Sequence, residues 1–218
     1  LSRVLAGPWA TQLLADLGAE VIKIERPGTG DDTRGWGPPW FTAPDGSREA
    51  AYFTCANRGK RSLAVDVGTP EGAALVASLA DEADVLVENF KVGGLARYGL
   101  DQATLRARNP RLIYCSISGF GQDGPRRNEP GYDFVIQAMS GFMARTGEPE
   151  GEPMQHGMSI SDLFCGLYST IAIQAALAMR QRTGTGQHID MALYDCSVAL
   201  LAHQAQSFFA TGQNPPRM

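Results

Sequence analysis

Short apolar runs alternate with segments of helical periodicity along most of the chain, which is the pattern of parallel βαβ units. The pattern predicts an α/β fold. Gly18 is placed to end the first helix and Thr69 with Pro70 to begin the second, because these residue types favour those positions. The predicted strands are 4–5, 20–25, 62–67, 84–87, 112–118 and 187–191. The predicted helices are 8–18, 70–83, 101–108, 131–145, 161–182 and 193–210.

One segment, 28–46, is rich in Gly, Pro and Trp and shows no period, so it is predicted to be a long loop. The chain starts at Leu1, without a methionine, and stops at Met218 in a polar stretch. We therefore expect a single large domain, 1–218, that is truncated at both ends.

Composition narrows the classes of function. The chain has 218 residues, of which 44% are hydrophobic and 19% charged, and its net charge is -4 with both signs interspersed, so we expect no nucleic-acid partner. No apolar run is expected to reach the roughly 20 residues that cross a bilayer, so no membrane partner is expected. The four cysteines and three histidines are widely spaced, which predicts a reduced, cytoplasmic protein without a metal site.

Polar and basic residues follow several predicted strands. Arg26, Asn89, Phe90 and the segment 118–125 stand at carboxyl strand ends, where open parallel sheets bind ligands, so one crevice is predicted. Basic residues cluster in 57–61, and Lys91 and Arg97 add positive charge near strand ends. Such cations in an acidic chain indicate an anion site, with phosphate the usual anion. A solvated loop with surface ion pairs is the alternative, and the sequence leaves both open.

The segment 119–124 matches G-x-G-x-x-G and follows a strand. A dinucleotide fingerprint also needs a helix that begins at the third glycine and an acidic residue about 20 positions later. The following segment, 125–130, is a polar loop, and the acidic residue is missing. We therefore expect neither a nicotinamide nor a flavin site.

Asp162 begins an apolar helix and is the candidate reactive carboxylate. The helix dipole is expected to keep it ionised and nucleophilic, and small neighbours such as Ser159 and Gly166 leave room for a substrate. The alternative is that Asp162 only caps the helix. Asp133, Asp190 and Asp195 are rival carboxylates in elements with ordinary polar spacing.

Nine blocks, in order and along the whole chain, resemble the class III (CaiB/BaiF, formyl-CoA transferase-like) coenzyme A transferase family. No block is decisive alone, whereas their order and spacing are specific. The blocks are 6–8, 17–28, 30–35, 57–62, 87–90, 119–125, 131–141, 162–168 and 182–190.

This resemblance implies a Rossmann-like large domain, an interlocked homodimer, and a small C-terminal domain that is absent here and towards which 193–218 leads. It also implies that CoA or acyl-CoA is the substrate and that Asp162 is the nucleophile. Backbone N–H groups at the helix start are expected to stabilise the oxyanions. The implied CoA-binding residues are Val4, Leu5, Arg26, Asn57, Arg58, Gly59, Lys60, Asn89, Phe90, Lys91, Arg97, Pro130, Gly131, Tyr132 and Asp133, with Arg26, Lys60 and Arg97 on the phosphates.

Two alternatives to a CoA transferase remain. Racemases of 2-methylacyl-CoA share the fold, but the resemblance places their basic histidine where this chain has Tyr132, and a phenol is a poor base at neutral pH. A non-catalytic CoA-binding module is the other alternative. The sequence does not identify the two acids that exchange CoA, although general similarity favours succinate as the donor acid. Arg34, Arg145 and Gln155 are candidates to bind the acceptor carboxylate.

Overall fold

Strands and helices alternate through residues 1–217, which are the residues that the computed structural model describes. The strands are β1 Val21–Glu25, β2 Trp40–Thr42, β3 Arg48–Ala50, β4 Lys60–Ala64, β5 Val85–Glu88, β6 Ile113–Ser118 and β7 His188–Ala192. The helices are α1 Ala6–Asp16, α2 Ala51–Cys55, α3 Pro70–Glu82, α4 Gln102–Arg108, α5 Asp133–Met139, α6 Ile160–Thr183, α7 Leu193–Leu200 and α8 Ala202–Thr211. Short 3-10 turns lie at Asp32–Gly35, Ala96–Tyr98 and Met143–Arg145.

Five strands are parallel, as the βαβ pattern predicts. β1 pairs with β4 so that Val21 lies opposite Lys60, and β5, β6 and β7 form a three-stranded sheet in that order. Helices α4 and α6 lie in the crossovers of the three-stranded sheet. Because crossover helices run back across the sheet, they begin at the carboxyl edge of the strands, where ligands bind in open α/β folds.

The two groups of parallel strands are separate sheets in the described part of the chain. A cleft of about 750 Å³ lies between them and is lined by both β1 and β5, for example by Ile22, Ile24, Val85 and Val87. This cleft lies between strands. It is therefore distinct from the crevice predicted outside their carboxyl ends.

Apolar layers cover both faces of the three-stranded sheet. Successive strand residues point to opposite faces, so Val87, Cys115 and Ile117 pack with residues of α1, α5, α6 and α7. Leu86 and Tyr114 pack on the other face with residues of α3 and α4. The predicted α/β fold class is confirmed.

Helix α6 is the central helix of its layer. With 24 residues it is long and apolar enough to cross a membrane, so the expectation that no segment reaches that length is wrong. Polar side chains interrupt it without breaking it, because Ser169 and Thr170 return hydrogen bonds to the carbonyls of Cys165 and Gly166 within the helix. α6 packs against α1, α5, α7, β6 and β7, as a core helix does.

The segment 28–46 is more ordered than predicted. Strand β2 lies inside it and pairs antiparallel with β3, and α2 follows directly. These elements are too short to show a hydrophobic period, which explains why the sequence pattern does not reveal them. Asp31 anchors the start of the segment, since its carboxylate accepts a hydrogen bond from Lys23 Nζ at 2.7 Å and from the backbone N–H of Thr33.

Three predicted elements differ most from the structure. The strand expected at 4–5 is not formed, because Val4 has a φ of 67° and Leu5 already precedes α1. The helix expected at 131–145 ends at Met139, since Gly141 has a φ of 90°. The helix expected at 193–210 is divided into α7 and α8 at Ala202, whose φ is 35°.

Candidate active site

Helices α1 and α6 lie side by side and begin at the same edge of the strands. Gly166, one turn after Asp162, contacts the first turn of α1 so closely that a Cβ there would lie 2.8 Å from the Ala6 carbonyl oxygen. One turn further, the Thr170 hydroxyl donates to the carbonyl of Ala10 at 3.3 Å. The two helices therefore run in the same direction. This places Asp162 beside the start of α1.

Asp162 occupies the first turn of α6 with a half-buried side chain. The helix is capped from α5 instead: Asp133 Oδ1 accepts hydrogen bonds from the backbone N–H groups of Ser161 at 2.8 Å and of Asp162 at 3.2 Å. Ser159, at the cap position, contributes no side-chain bond. The alternative that Asp162 merely caps its own helix is therefore wrong.

The Asp162 carboxyl has an altered proton affinity. Burial raises its pKa to about 7, and the negative charge of Asp133 adds to the increase. This direction gives no support to the expectation that the helix dipole keeps the group ionised, because burial and the charge of Asp133 both disfavour the ionised form. At neutral pH both protonation states are populated. The ionised form is poorly solvated, which favours nucleophilic attack.

The N–H groups at the start of α6 are already engaged. Besides the two that Asp133 binds, the N–H of Ile160 donates to the Met158 carbonyl at 2.8 Å and that of Leu163 to the Ser159 carbonyl at 3.0 Å. The expectation that these groups stabilise an oxyanion is therefore not supported by the geometry.

Arg26, Val4 and Asn89 come together at the edge where α1 begins. The Asn89 side chain binds the backbone of Arg3 in both directions, accepting from its N–H at 3.0 Å and donating to its carbonyl at 2.7 Å. The guanidinium groups of Arg3 and Arg26 both pair with Asp32. Three distant segments are thus joined at the carboxyl edge of the strands, the edge at which α6 also begins. The predicted crevice as a whole stays a prediction.

Lys60 is enclosed by the protein. Its Nζ donates to the carbonyls of Pro8 and Ala56, each at 2.7 Å, and to Asn57 Oδ1 at 3.0 Å. Burial also lowers the pKa of Lys60 to about 7. An ammonium group has three donors, and all three are used here. The geometry therefore gives no support to the predicted contact between Lys60 and a CoA phosphate.

The exposed cations of the same loop form surface ion pairs. Arg58 pairs with Asp16 at 2.5 Å and Arg61 pairs with Glu20. Between them Gly59 has a φ of 73°, a conformation that favours glycine. The alternative of a solvated loop with ion pairs thus describes this loop better than an anion site.

Arg97 lines a groove of about 460 Å³ between the segments that follow β4 and β5, together with Gly68. Its guanidinium stacks over the Tyr98 ring at 4.6 Å. Lys91 is exposed, whereas Phe90 is half-buried against the layer of α3 and α4. The groove runs from the start of α3 and the turn at Arg97 along α3 and α4 to Ala77 and Arg108. Among residues 1–217 Arg97 forms no ion pair, which leaves its charge for a phosphate.

The turn 130–133 lies against the loop that follows β6. Gly131 approaches Gly119 so closely that a Cβ on Gly131 would lie 2.3 Å from the Gly119 Cα. Pro130 and Tyr132 are at the surface, with Tyr132 69% exposed. Asp133 points to α6. Of the predicted CoA-binding residues in this turn, Asp133 already binds the backbone of α6. Leu5, another predicted CoA-binding residue, is buried in the core.

The glycine-rich loop after β6 does not begin a helix. Gly121 donates its backbone N–H to the Ser118 hydroxyl, and Gln122 donates to Asp190 Oδ2 at 2.8 Å. The next helix in the described residues is α5, which begins at Asp133. The loop therefore lacks the structural context of a dinucleotide fingerprint.

Two residues that the sequence pattern does not single out lie near Asp162. Burial raises the pKa of Tyr52, and the charge of Asp162 contributes to the increase. Gln137 is fully buried and donates from Nε2 to Asp133 Oδ2 at 2.6 Å, while its Oε1 accepts from the His156 N–H at 2.8 Å. Tyr52 has no signal because its segment has no period. An isolated amide on the apolar face of a predicted helix is a signal that identifies Gln137.

Arg34, a candidate for the acceptor carboxylate, is fully paired. Its Nε and Nη2 bind Glu25, each at 2.8 Å, and its Nη1 binds Glu49 at 2.9 Å. The bidentate contact with Arg34, added to a bond from Ser62, lowers the pKa of Glu25 to about 2 despite its burial. Arg34 therefore holds the segment after β1 in place.

The sequence of this chain matches a known protein family along its whole length. A family model described as CoA-transferase family III matches residues 1–218. The chain belongs to CoA-transferase family III. The resemblance that rests on the nine sequence blocks is thereby confirmed.

Named members of CoA-transferase family III are similar along the whole chain. A succinate–glutarate CoA-transferase of Agrobacterium fabrum is 57% identical over 100% of this chain and 55% of its own length. The human succinyl-CoA:glutarate CoA-transferase is 46% identical over 95% of this chain and 46% of its own length. A crystal structure of a CaiB/BaiF family protein from Brucella suis has a TM-score of 0.97 and 59% identity, covering 100% of this chain and 57% of that one. The chain thus spans about half the length of these relatives.

Proposed function

We propose that the protein transfers coenzyme A from an acyl-CoA to a free carboxylic acid and that Asp162 is the nucleophile. The observation that carries this proposal is the Asp162 carboxylate, which is half-buried, has a pKa raised to about 7 and lies in a helix turn that Asp133 caps. Membership of CoA-transferase family III supports it, as do relatives that are named CoA-transferases.

In the proposed mechanism the Asp162 carboxylate attacks the thioester carbonyl, forming an aspartyl–acyl anhydride and releasing CoA thiolate. The thiolate attacks the Asp162 carbonyl, which forms an aspartyl–CoA thioester and frees the first acid. The acceptor carboxylate then attacks this thioester and releases the thiolate again. Attack of the thiolate on the acceptor carbonyl gives the new acyl-CoA and restores the Asp162 carboxylate. Covalent relay divides a difficult exchange into accessible steps.

The proposed CoA site follows the carboxyl edge of the strands. Arg97 and Lys91 supply positive charge for the phosphates at the groove beside Tyr98. Arg26 is left out of the phosphate site because it is paired with Asp32, as Arg58 is with Asp16. Asn89 holds the backbone of Arg3 and so fixes the segment that leads to Val4. The support for these roles is position and charge, and Lys60 is left out because its donors are used.

The test is to trap the intermediate with hydroxylamine in the presence of an acyl-CoA. The proposal predicts a hydroxamate on Asp162, found by peptide mass spectrometry, and none in Asp162→Asn. Asp195→Asn is the matched control, because Asp195 also stands in the first turn of a helix but is exposed. It is expected to give the hydroxamate on Asp162 at the wild-type level. A hydroxamate elsewhere, or none, contradicts the proposal.

Two outcomes distinguish the rival functions, one from the hydroxylamine incubation and one from deuterium exchange. Tight CoA binding without any hydroxamate indicates a non-catalytic CoA-binding module. Exchange of the α-proton of a 2-methylacyl-CoA with deuterated solvent indicates a racemase. The exposed position of Tyr132 in place of a basic histidine gives the racemase no support.

We also propose that the exchanged acids are dicarboxylic and that succinyl-CoA is the donor. Relatives are named for succinyl-CoA with glutarate, mesaconate or D-citramalate, and one for acetyl-CoA with oxalate. A screen of donors and acceptors on the full-length protein, read by the mass of the acyl-CoA products, tests this. Preference for monocarboxylic acids would contradict it.

A homodimer in the cytoplasm is the proposed state of the protein. Exposed apolar side chains on α5 and α6, such as Phe134, Val135, Leu167 and Ile171, support an interface, because large apolar patches mark contact surfaces. Four free cysteines, three of them buried, fit a reducing compartment. Light scattering of the full-length protein tests the dimer, and a monomer at micromolar concentration would contradict it.

A further inference from the structure

The start of α6 is held by a carboxylate from another helix. Asp133 Oδ1 accepts both the Ser161 and the Asp162 backbone N–H groups. These are the donors that the side chain of the N-cap residue, Ser159, would otherwise bind, and Ser159 does not bind them. Asp133 therefore fixes the turn that carries Asp162, and the Asp162 carboxylate itself makes no hydrogen bond among residues 1–217.

Asp133 is itself fixed in place. Its Oδ2 accepts from Gln137 Nε2 at 2.6 Å, and the same Nε2 also contacts the Met158 carbonyl at 3.3 Å. Gln137 is 1% exposed, and its Oε1 accepts from the His156 N–H. The pair Asp133–Gln137 therefore ties the loop before α6 to α5. Gln137 binds the loop before α6, and Asp133 binds the first turn of α6.

The titratable groups that face Asp162 come from three elements. They are Asp133 from α5, Tyr52 from α2 and Cys165 from α6 itself. Of these only Asp133 is a carboxylate, and its negative charge acts on Asp162, so its replacement changes the charge beside Asp162 most directly.

We propose that Asp133 is a positioning residue, which caps α6 in place of Ser159 and so holds the first turn of the helix with the Asp162 carboxylate oriented for attack on the thioester. This inference rests on the proposed function and gives Asp133 a role different from CoA binding. The Asp133 side chain acts through two properties that can be separated. The acceptor oxygen holds the helix, and the negative charge disfavours ionisation of Asp162.

Two substitutions separate these properties. Asp133→Asn keeps an oxygen for the two N–H groups and removes the charge, but it also loses the hydrogen bond from Gln137 Nε2, which would face the Asn Nδ2. Asp133→Ala removes the oxygen and the charge together. In the full-length protein we expect Asp133→Ala to lower kcat on the order of 100-fold, because a small displacement of a reacting group has this effect. KM for the acyl-CoA should stay within about threefold. Asp133→Asn should retain kcat within about tenfold and move the acidic limb of the pH–rate profile to lower pH.

Asn109→Ala is the matched control. The Asn109 side chain holds the end of α3 to the segment before β6, donating to the carbonyls of Ala80 at 3.0 Å and Ala83 at 3.1 Å and accepting from the Arg111 N–H at 3.1 Å, at the edge of the strands opposite to Asp162. Loss of these bonds should lower Tm to a similar extent as loss of the Asp133 cap and leave kcat unchanged. A change in KM alone in Asp133→Ala would instead assign Asp133 to CoA binding and overturn the inference.

A measurement without turnover separates this inference from the proposed function. The Asp162 carboxyl is titrated by nuclear magnetic resonance in wild type and Asp133→Asn, and amide hydrogen exchange is followed at Ser161 and Asp162 in Asp133→Ala. The inference predicts a lower pKa of Asp162 in the first variant and faster exchange in the second. Unchanged values overturn it whatever the activity. If both change while the wild type transfers no CoA, the proposed function fails and the positioning role stands.

Discussion

At the scale of the residue, some properties of the Asp162 side chain follow from its position in the sequence, and others depend on its surroundings in the fold. Its place in the first turn of α6 is visible in the sequence, and so is its match to a family block. Its proton affinity is not, because burial and the charge of Asp133 set it, and both depend on packing of distant segments. For Lys60 the sequence is misleading. Its basic loop indicates an anion site, whereas its three donors bind oxygen atoms within the protein.

The pH dependence of CoA transfer follows from the pKa of Asp162. A protonated carboxyl cannot attack the thioester, so kcat/KM should rise with pH and level off above about 7. Below that value the rate should fall about tenfold for each pH unit. Initial rates across the range, with Asp195→Asn as control, measure this. A flat profile between about pH 5 and pH 9 would contradict it.

The stability of Asp162→Asn should depend on pH in a defined direction. The folded-state pKa is raised from the ordinary 3.8 to about 7, so folding favours the protonated form, and this contribution is lost as pH rises through 7. Asparagine resembles the protonated form. It should therefore raise the free energy of unfolding by about 2–3 kcal/mol more at pH 8 than at pH 5. Urea denaturation at both values tests this, and an equal or larger gain at pH 5 would be inconsistent with it.

At the scale of the element, the long periodic segments are the ones that the sequence predicts well. Helices α1, α3 and α6 and the parallel strands carry enough residues to show a period, and caps such as Thr69 mark their ends. The hairpin of β2 and β3 and helix α2 are too short for this. Positive φ angles at Val4 and Ala202, which redirect the backbone, are imposed by tertiary contacts and leave no local signal.

The contact between α1 and α6 predicts an effect of Gly166→Ala. The added Cβ would lie 2.8 Å from the Ala6 carbonyl oxygen and 2.9 Å from the Trp9 ring, neither of which can move freely. We expect a loss of about 1–3 kcal/mol in unfolding free energy, although alanine is the better helix former. Gly35→Ala is the control, because its Cβ would meet nothing within 4 Å. Equal stability of the two variants would show that the helices are not in tight contact.

At the scale of the whole molecule, the carboxyl edge of the strands joins two regions. The start of α6 offers the reactive carboxylate, and the groove beside Arg97 and Tyr98 offers positive charge. The general rule for open α/β sheets predicts this edge from sequence. It does not predict which cations are free, because Arg58 and Arg34 are paired with acidic residues of other segments.

The groove predicts a selective effect of Arg97→Ala on CoA binding. Loss of one charged contact to a phosphate should weaken the affinity for CoA about tenfold, with a reduced dependence on salt. Hydroxamate formation at saturating acyl-CoA should persist. Arg111→Ala is the control, since its guanidinium binds the Gly184 carbonyl at the opposite edge of the strands. Calorimetry at two salt concentrations measures both, and identical affinities would place the phosphates elsewhere.

The path of oxygen atoms tests the central claim most directly. When the acceptor acid carries a heavy oxygen isotope in its carboxylate, the relay leaves one labelled oxygen on the nucleophile, because the anhydride bond breaks on the acceptor side. After turnover, peptide mass spectrometry should find the label in the side chain of Asp162, and Asp195 should remain unlabelled. An unlabelled Asp162 in protein that has converted acceptor into acyl-CoA would contradict the account.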